Sequence, residues 1–234
     1  MSESSPSADF DAAPPVPVSE YAQAVARINV GYDLTLLLTG CLLRALDEPW
    51  LELLVVGAGG GAEIERLLPS NPGWHMTGVD PSVDMLALAG ATVARLGLGD
   101  RVALVRGTVD DLPARTRFGA ATCLYVLHFL PDDGKLALLR GIAARLQPGA
   151  PLLVASGAHP DDGGLRDDLL GAWQQYGEAM GMPADLMAET IARLTERPGT
   201  TEATYRDLLR KAGFTRVARY VEVLGGGLTG WIAR

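Results

Sequence analysis

The sequence predicts an α/β protein with a doubly wound, mostly parallel sheet, a C-terminal antiparallel hairpin and a helical lid. Segments with the apolar spacing of strands and of helices alternate between residues 49 and 156. A glycine-rich turn joins the first strand to the first helix of this region, and a second one separates two strand-like runs near the C-terminus. The alternation indicates parallel strands joined by crossover helices, whereas a tight turn permits only antiparallel pairing.

Apolar periodicity places the elements of the central region. Continuous apolar runs predict strands at 51–57, 74–80, 101–107, 120–129 and 151–157, and helical spacing predicts helices at 61–68, 82–97 and 132–146. The run AATCLYVLHF, at 120–129, predicts a long strand that is buried on both faces. Residues 49–156 are therefore expected to form the ligand-binding core.

The flanking segments have a different character. Residues 1–18 are acidic and rich in Ser, Pro and Ala, which predicts a disordered tail. They have neither the basic nor the apolar region of a secretory signal, so we expect a cytoplasmic protein. Helical spacing predicts two helices in 19–48 and two in an insertion at 157–200, and we expect both segments to form the lid. Residues 201–234 are expected to complete the core with a helix and the terminal hairpin.

Composition argues against several classes of function. The formal net charge is −8, so the chain lacks the basic footprint of a nucleic-acid-binding protein and a polynucleotide substrate is not expected. No apolar run approaches the roughly 20 residues of a membrane span. The two cysteines and three histidines lack the spacing of a zinc site or a disulfide framework, so no metal is expected. The oligomeric state stays open, a homodimer included.

The stretch LLVVGAGGGAEI, residues 53–64, is the first candidate binding site. Four glycines lie within the five positions from Gly57 to Gly61, between a strand and a helix. Glycine accepts positive φ angles and leaves room for a ligand beside the backbone. Asp80 ends the second strand, where a carboxylate can accept hydrogen bonds from two ribose hydroxyls. The pattern predicts a nucleoside-containing cofactor, with a plain turn of a doubly wound fold as the alternative.

The order of the later motifs narrows the choice of cofactor. GVDPSVDML, VRGTVDDLP, ATCLYVLHFLPDD and RLQPGAPLLVAS follow before the terminal hairpin. In this order the chain resembles the class I S-adenosylmethionine-dependent methyltransferases over about residues 50–156 and 201–234. The resemblance implies a Rossmann-like fold, S-adenosylmethionine as cofactor and methyl transfer to a small molecule. It also implies a set of cofactor-binding residues: Gly57, Ala58 and Gly59 at the methionine part, Asp80 and Pro81 at the ribose, Met85 or Val83 against adenine, Thr108, Val109 and Asp110 at its edge, and Leu124 and Tyr125 facing the sulfonium.

Three positions depart from the pattern of that family. Val55 stands two places before the first glycine, where an acidic residue is usual. Thr108 replaces the usual Asp of the adenine loop, and Gly119 replaces the Asp at the start of the fourth-strand segment. The ribose contact at Asp80 is unaffected, but each departure weakens the case for tight cofactor binding.

The segment ARINVGYD, residues 26–33, resembles the part before the core in carboxy-S-adenosylmethionine synthases and their methyltransferase relatives. In those proteins an Arg…Pro-Gly-Tyr stretch folds over the cofactor; Arg27 and Tyr32 match it, and Val30 replaces the Pro. A solvated charge and a residue at a helix joint are the alternatives for these two side chains. That family's Asn and Gln correspond to Leu124 and His128 here, so the resemblance supports the lid and not the reaction.

Four further residues are candidates for catalysis or for binding the acceptor. His128 follows the fourth strand, where an imidazole could act as general base at neutral pH, or could pack under the following helix. His159, Trp173 and Tyr176 lie in the insertion and could line an acceptor pocket, although packing between its two helices would also explain the aromatic residues.

The first functional hypothesis is therefore methyl transfer from S-adenosylmethionine to a small-molecule acceptor. The alternatives are an enzyme like carboxy-S-adenosylmethionine synthase, a cofactor-binding protein without transfer activity, and an NAD-dependent oxidoreductase. Binding of adenosine ligands separates the methyltransferase from the oxidoreductase, and turnover separates an enzyme from a silent binder.

Overall fold

The computed structural model describes residues 21–48, 50–157, 164–195, 200–224 and 228–234. Within these ranges the helices are α1 (Tyr21–Ile28), α2 (Tyr32–Arg44), α3 (Ala62–Leu67), α4 (Val83–Leu96), α5 (Asp132–Ala143), α6 (Arg166–Ala179), α7 (Ala184–Thr195) and α8 (Glu202–Lys211). The strands are β1 (Leu51–Val56), β2 (Trp74–Asp80), β3 (Val102–Arg106), β4 (Ala120–Leu124), β5 (Leu152–Ser156), β6 (Val217–Val223) and β7 (Leu228–Ala233). The tail predicted at 1–18 lies outside the described residues.

The strands form one sheet in the order β3-β2-β1-β4-β5-β7-β6. The first five are parallel, and β7 is antiparallel to both of its neighbours, β5 and β6. This confirms the predicted Rossmann-like, doubly wound sheet with its terminal hairpin. Chain connectivity reverses direction between β1 and β4, and ligands of open α/β sheets bind in the crevice at the carboxyl ends of such a strand pair.

Alternate residues of the central strands pack on opposite faces of the sheet. One face, against α5 and α8, includes Leu54, Cys123, Val154, Tyr205 and Trp231. The other, against α2, α3 and α4, includes Leu53, Val55, Ile64, Leu67 and Ala89. Because both faces are covered, the strands read as unbroken apolar runs.

The fourth strand is shorter than the apolar run predicted. The prediction of a strand over 120–129 is wrong beyond Leu124, because Tyr125 has a φ of 62°, which lies outside the β region. A short 3-10 helix, Leu127–Phe129, follows, and Leu127 is fully buried. An apolar run therefore marked core contacts correctly but did not show where the backbone turns.

Helices α1 and α2 meet at Gly31, which has a φ of 80°. A side chain at Gly31 would contact Val223 of β6 and Leu228 of β7, so the joint lies against the terminal hairpin. Helices α6 and α7 of the insertion pack on each other through Trp173, Met187 and Ile191. In the parts of the chain that the structure describes, no helix is long and apolar enough to cross a membrane.

Candidate functional site

The glycine loop that follows β1 lies at the predicted crevice. The backbone N–H groups of Gly57 and Ala58 both donate to the carbonyl of Val79 on β2, at 2.9 and 3.0 Å. Gly57 has a φ of 72°, and a side chain there would collide with Val126, which follows β4. The loop thus bridges the ends of β1 and β2 and meets the segment after β4. Only a residue without Cβ fits this place.

Asp80 is fixed at the end of β2 by two backbone groups. Its Oδ2 accepts from the N–H of Gly59 and its Oδ1 accepts from the N–H of Ser82, each at 2.9 Å. The side chain is largely buried. An ionised carboxylate has about four acceptor positions, so these two bonds orient the group and leave capacity for ribose hydroxyls.

The predicted adenine side is built by the start of α4. The Ser82 hydroxyl caps this helix by accepting from the N–H of Met85 at 3.0 Å. Met85 is buried, and its Cε lies 3.4 Å from the point where a Cβ on Gly59 would stand. Val83 and Pro81 are exposed. Of the two apolar candidates, Met85 is the one that lies against the glycine loop.

The loop after β3 is a capped turn. Thr108 begins a 3-10 helix, Val109–Asp111, and its N–H donates to Oδ2 of Asp111 at 2.8 Å. Val109 is buried in the core against Gly141 of α5, so its side chain is a packing residue and only its backbone could reach an adenine edge. Asp110 is exposed, 3.8 Å from Nη1 of Arg145. Sequence reasoning did not single out Asp111, whose spacing from Thr108 is a capping signal.

The end of β4 brings the N-terminal helices to the crevice. Tyr125 is held with positive φ by its N–H bond to the carbonyl of Ala155, at 2.7 Å. Its ring packs on that of Tyr32, at the start of α2, with centroids 5.2 Å apart. Leu124, Leu36 and Leu228 surround this pair. The structure therefore places Leu124, Tyr125 and Tyr32 together, as the sequence predicted.

Beneath α2 lies a buried polar cluster that the sequence did not reveal. We define it as Glu63, Thr122, Tyr125, Tyr220 and Thr39. The Oε1 atom of Glu63 has no hydrogen-bond partner among the described residues, and burial raises the pKa of this carboxyl to about 7, against a smaller opposing effect of the Thr122 hydroxyl. Burial also raises the pKa of Tyr125, and raises that of Tyr220 to about 12, although its hydroxyl lies 3.0 Å from that of Thr39.

Glu63 provides an acidic group close to a position where the family pattern lacks one. Thr122 is the register partner of Val55 on the neighbouring strand, and the Glu63 carboxyl approaches Thr122 from α3. In sequence, Glu63 looks like an ordinary surface residue in the first turn of a helix. Only the packing of α2 over this turn shows that it is buried, so no local signal could have found it.

The remaining predicted residues have mixed placements. Arg27 is exposed on α1. Trp173 is mostly buried, and its Nε1–H donates to the carbonyl of Ile28 at 2.8 Å. The Tyr176 hydroxyl lies 3.5 Å from the carbonyl of Ala26. These two aromatic residues thus join the insertion to α1, and a role toward an acceptor stays a prediction. His159 lies outside the described residues.

His128 lies in the 3-10 helix after β4, beside the end of β5. Its Nδ1 is 3.4 Å from the Ser156 hydroxyl, and its ring packs on that of Phe129 with centroids 4.2 Å apart. The Ser156 hydroxyl is in turn 2.9 Å from that of Tyr205 on α8. The imidazole is therefore partly exposed but anchored to buried groups, which agrees with elements of both sequence interpretations.

The residues at the crevice suit an adenosine cofactor. The loop keeps its backbone bare where a Cβ at Gly57 would fill the space, Asp80 is oriented with acceptor capacity to spare, and Met85 offers an apolar surface. Comparison with known families agrees, because residues 54–152 match the family model described as a methyltransferase domain. The chain belongs to the class I S-adenosylmethionine-dependent methyltransferases. The predicted enzyme class and its cofactor, S-adenosylmethionine, are thereby confirmed.

Relatives of this methyltransferase include enzymes with two different names. A carboxy-S-adenosyl-L-methionine synthase of Aeromonas salmonicida is 24% identical over 201 residues, covering 84% of this chain and 81% of that protein. A ubiquinone/menaquinone biosynthesis C-methyltransferase of Bradyrhizobium diazoefficiens is 28% identical over 193 residues, covering 79% and 74%. The likeness of the N-terminal segment to the synthases thus extends over much of the chain.

Solved structures share the fold of this methyltransferase. Magnesium protoporphyrin IX methyltransferase of Synechocystis, with bound S-adenosylhomocysteine, superposes with a TM-score of 0.65 at 18% identity, over 96% of this chain and 94% of that one. An O-methyltransferase family protein of Burkholderia thailandensis superposes with a TM-score of 0.64 at 16% identity. The present chain aligns over 92% of its length but spans only 59% of that protein.

Proposed function

We propose that this protein transfers a methyl group from S-adenosylmethionine to a small-molecule acceptor bound under α1, α2 and the insertion. The observation that carries the proposal is the aromatic pair of Tyr32 and Tyr125 at the carboxyl end of β4. When bound, the cofactor supplies a methyl group on a cationic sulfur, and the electron pair of the broken bond remains on that sulfur. Aromatic faces attract such a cation, so the pair favours the methyl-bearing form of the cofactor.

The protein's own groups divide the work of binding. Asp80 accepts from the ribose, the loop from Gly57 to Gly61 lies along the methionine part, and Met85 packs on the adenine. Catalysis then rests mainly on holding the acceptor in line with the methyl group while water is excluded. His128 is the candidate base for an acceptor whose O–H or N–H must lose a proton.

The cover over the crevice supports a small acceptor rather than a polymer. Helix α2 packs on Leu124 and Leu228 at the edge of the sheet, and the insertion contacts α1 through Trp173. Both segments lie at the carboxyl edge, where Leu224 at the end of β6 joins the Trp173 cluster. A site enclosed in this way by apolar and aromatic side chains is typical of small-molecule pockets.

A cofactor-modifying activity like that of the carboxy-S-adenosylmethionine synthases is the second candidate, because several relatives carry that name. A carboxylate added at the sulfur would call for a cationic or amide partner. The groups at the end of β4 are instead Leu124, Tyr125 and Tyr32, which favours a methyl group there.

The test combines binding with turnover. Calorimetry with S-adenosylhomocysteine first establishes that the site is competent. Mass spectrometry then follows the cofactor during incubation with panels of phenols, amines, carboxylic acids and activated carbon acceptors. Formation of S-adenosylhomocysteine and a methylated acceptor supports the proposal. A cofactor that gains a carboxyl group supports the second candidate, and binding without turnover across all panels would leave a silent binder.

A further inference from the structure

A chain of hydrogen bonds runs from His128 into the core. Nδ1 of His128 lies 3.4 Å from the Ser156 hydroxyl, which lies 2.9 Å from the Tyr205 hydroxyl. The Tyr205 hydroxyl donates to the carbonyl of Gly157 at 3.1 Å. Ser156 is fully buried and Tyr205 almost so, which shields the inner part of the chain from exchange with bulk water.

The direction of the protons along this chain can be derived from its inner end. A carbonyl can only accept, so the single proton of Tyr205 points to Gly157. The Tyr205 oxygen can then only accept from Ser156, and this uses the single proton of the Ser156 hydroxyl. The Ser156 oxygen must therefore accept from His128, which places a proton on Nδ1 and leaves a lone pair on Nε2.

The inner end of the chain is held firmly in place. Burial raises the pKa of Tyr205 to about 12, so the phenol keeps its proton at neutral pH. Its ring packs on Trp231 with centroids 4.9 Å apart, and Nζ of Lys135 lies 5.9 Å from the ring centroid. Lys135 donates to Asp132 at 2.8 Å and to Thr200 at 2.6 Å, which fixes the cation.

We propose that Ser156 and Tyr205 are positioning residues that hold His128 in the Nδ1–H tautomer, so that Nε2 receives the proton of the acceptor. The inference rests on the proposed methyl transfer for its catalytic meaning. The acceptor's O–H or N–H bond breaks, its proton goes to the lone pair of Nε2, and the acceptor atom keeps the electron pair that bonds the methyl carbon. The imidazolium later returns the proton to water.

The tautomer can be measured without any turnover. Long-range proton–nitrogen NMR spectra distinguish the protonated from the unprotonated ring nitrogen, and a His128→Gln variant assigns the signals among three histidines. At a pH where the ring is neutral, wild-type His128 is expected to carry its proton on Nδ1. In Tyr205→Phe the Ser156 proton is released from Tyr205 and can turn to Nδ1, so the population shifts toward the Nε2–H form.

Matched variants separate positioning from folding. Tyr205→Phe keeps the ring stacked on Trp231, and Ser156→Ala removes the relay without adding volume. Tyr220→Phe removes another buried tyrosine hydroxyl, one bonded to Thr39 on the opposite face, and is expected to leave the His128 tautomer unchanged. A proton on Nε2 in the wild type, or the same tautomer ratio in wild type and Tyr205→Phe, would overturn the inference.

Kinetics test the catalytic part separately. For an O–H or N–H acceptor, His128→Gln is expected to lower kcat about 10²–10⁴-fold, and Tyr205→Phe to lose part of that factor with KM little changed. If methyl transfer is measured but the tautomer result fails, the proposed function stands and the positioning role falls. If no acceptor is turned over while the tautomer is as expected, the proposed function is the part in error.

Discussion

The buried carboxyl of Glu63 makes stability depend on pH in a direction opposite to that of a salt-bridged acid. Its pKa is raised from 4.5 to about 7 by burial. Below pH 4.5 both the folded and the unfolded chain hold the proton. As pH rises toward 7, the unfolded chain releases it first, so the folded state loses stability, and the loss is complete above about pH 7.

The magnitude follows from the shift. A difference of one pKa unit corresponds to about 1.4 kcal/mol, so the full change is about 3 kcal/mol, of which about 2 kcal/mol falls between pH 5.5 and pH 8. Glu63→Gln keeps the shape of the side chain and removes its titration. The free energy of unfolding of this variant should therefore fall by about 2 kcal/mol less than that of the wild type over the same interval.

Urea unfolding at the two pH values measures this difference. Glu65→Gln is the matched control, since Glu65 lies on the same helix but is half-exposed and paired with Arg95 at 2.8 Å. This control should follow the wild type within about 0.5 kcal/mol, as expected for a surface ion pair. If wild type, Glu63→Gln and Glu65→Gln all show the same change with pH, Glu63 is not a buried, raised-pKa acid and the reasoning is wrong.

Three other predictions address the cofactor site and its cover. Asp80→Ala should weaken S-adenosylhomocysteine binding by about 2–3 kcal/mol in calorimetry, because hydrogen bonds to a charged group are lost; an unchanged affinity would exclude the ribose contact. Tyr32→Leu should weaken S-adenosylmethionine by about 0.5–2 kcal/mol more than S-adenosylhomocysteine, since only the former carries a cation; equal losses would argue against the aromatic contact. Hydrogen exchange should show added protection at 21–44 and 166–195 when S-adenosylhomocysteine binds, and protection limited to the glycine loop and Asp80 would mean that the cover does not close.

Much of the fold could be predicted because its signals are local. The parallel strands, their crossover helices and the glycine turn each depend on a few consecutive residues, and Asp80 could be placed at a strand end by position alone. The boundary of β4 was missed because an apolar run does not report φ, and Tyr125 turns the chain at 62°. Val109 was predicted at the adenine edge, yet its side chain fills the core beside Gly141.

The parts of the site that the sequence did not show depend on distant contacts. Ser156 and Tyr205 are 49 positions apart, and nothing in either local sequence indicates that they share a hydrogen bond. Glu63 becomes a buried acid only because α2 covers it. Trp173 and Tyr176 were predicted to face an acceptor, whereas their polar atoms point to carbonyl groups of α1, a contact across 145 and 150 positions.

The bond from Trp173 to Ile28 has a consequence for how acceptor preference can change during evolution or engineering. It fastens two segments that lie outside the sheet to each other, so neither keeps its shape if the other is exchanged. Grafting the insertion of a relative onto this chain would leave the Ile28 carbonyl facing a foreign surface. Altered specificity should therefore be transplanted as a matched pair of segments, while the sheet beneath, with its glycine loop and Asp80, can be inherited unchanged.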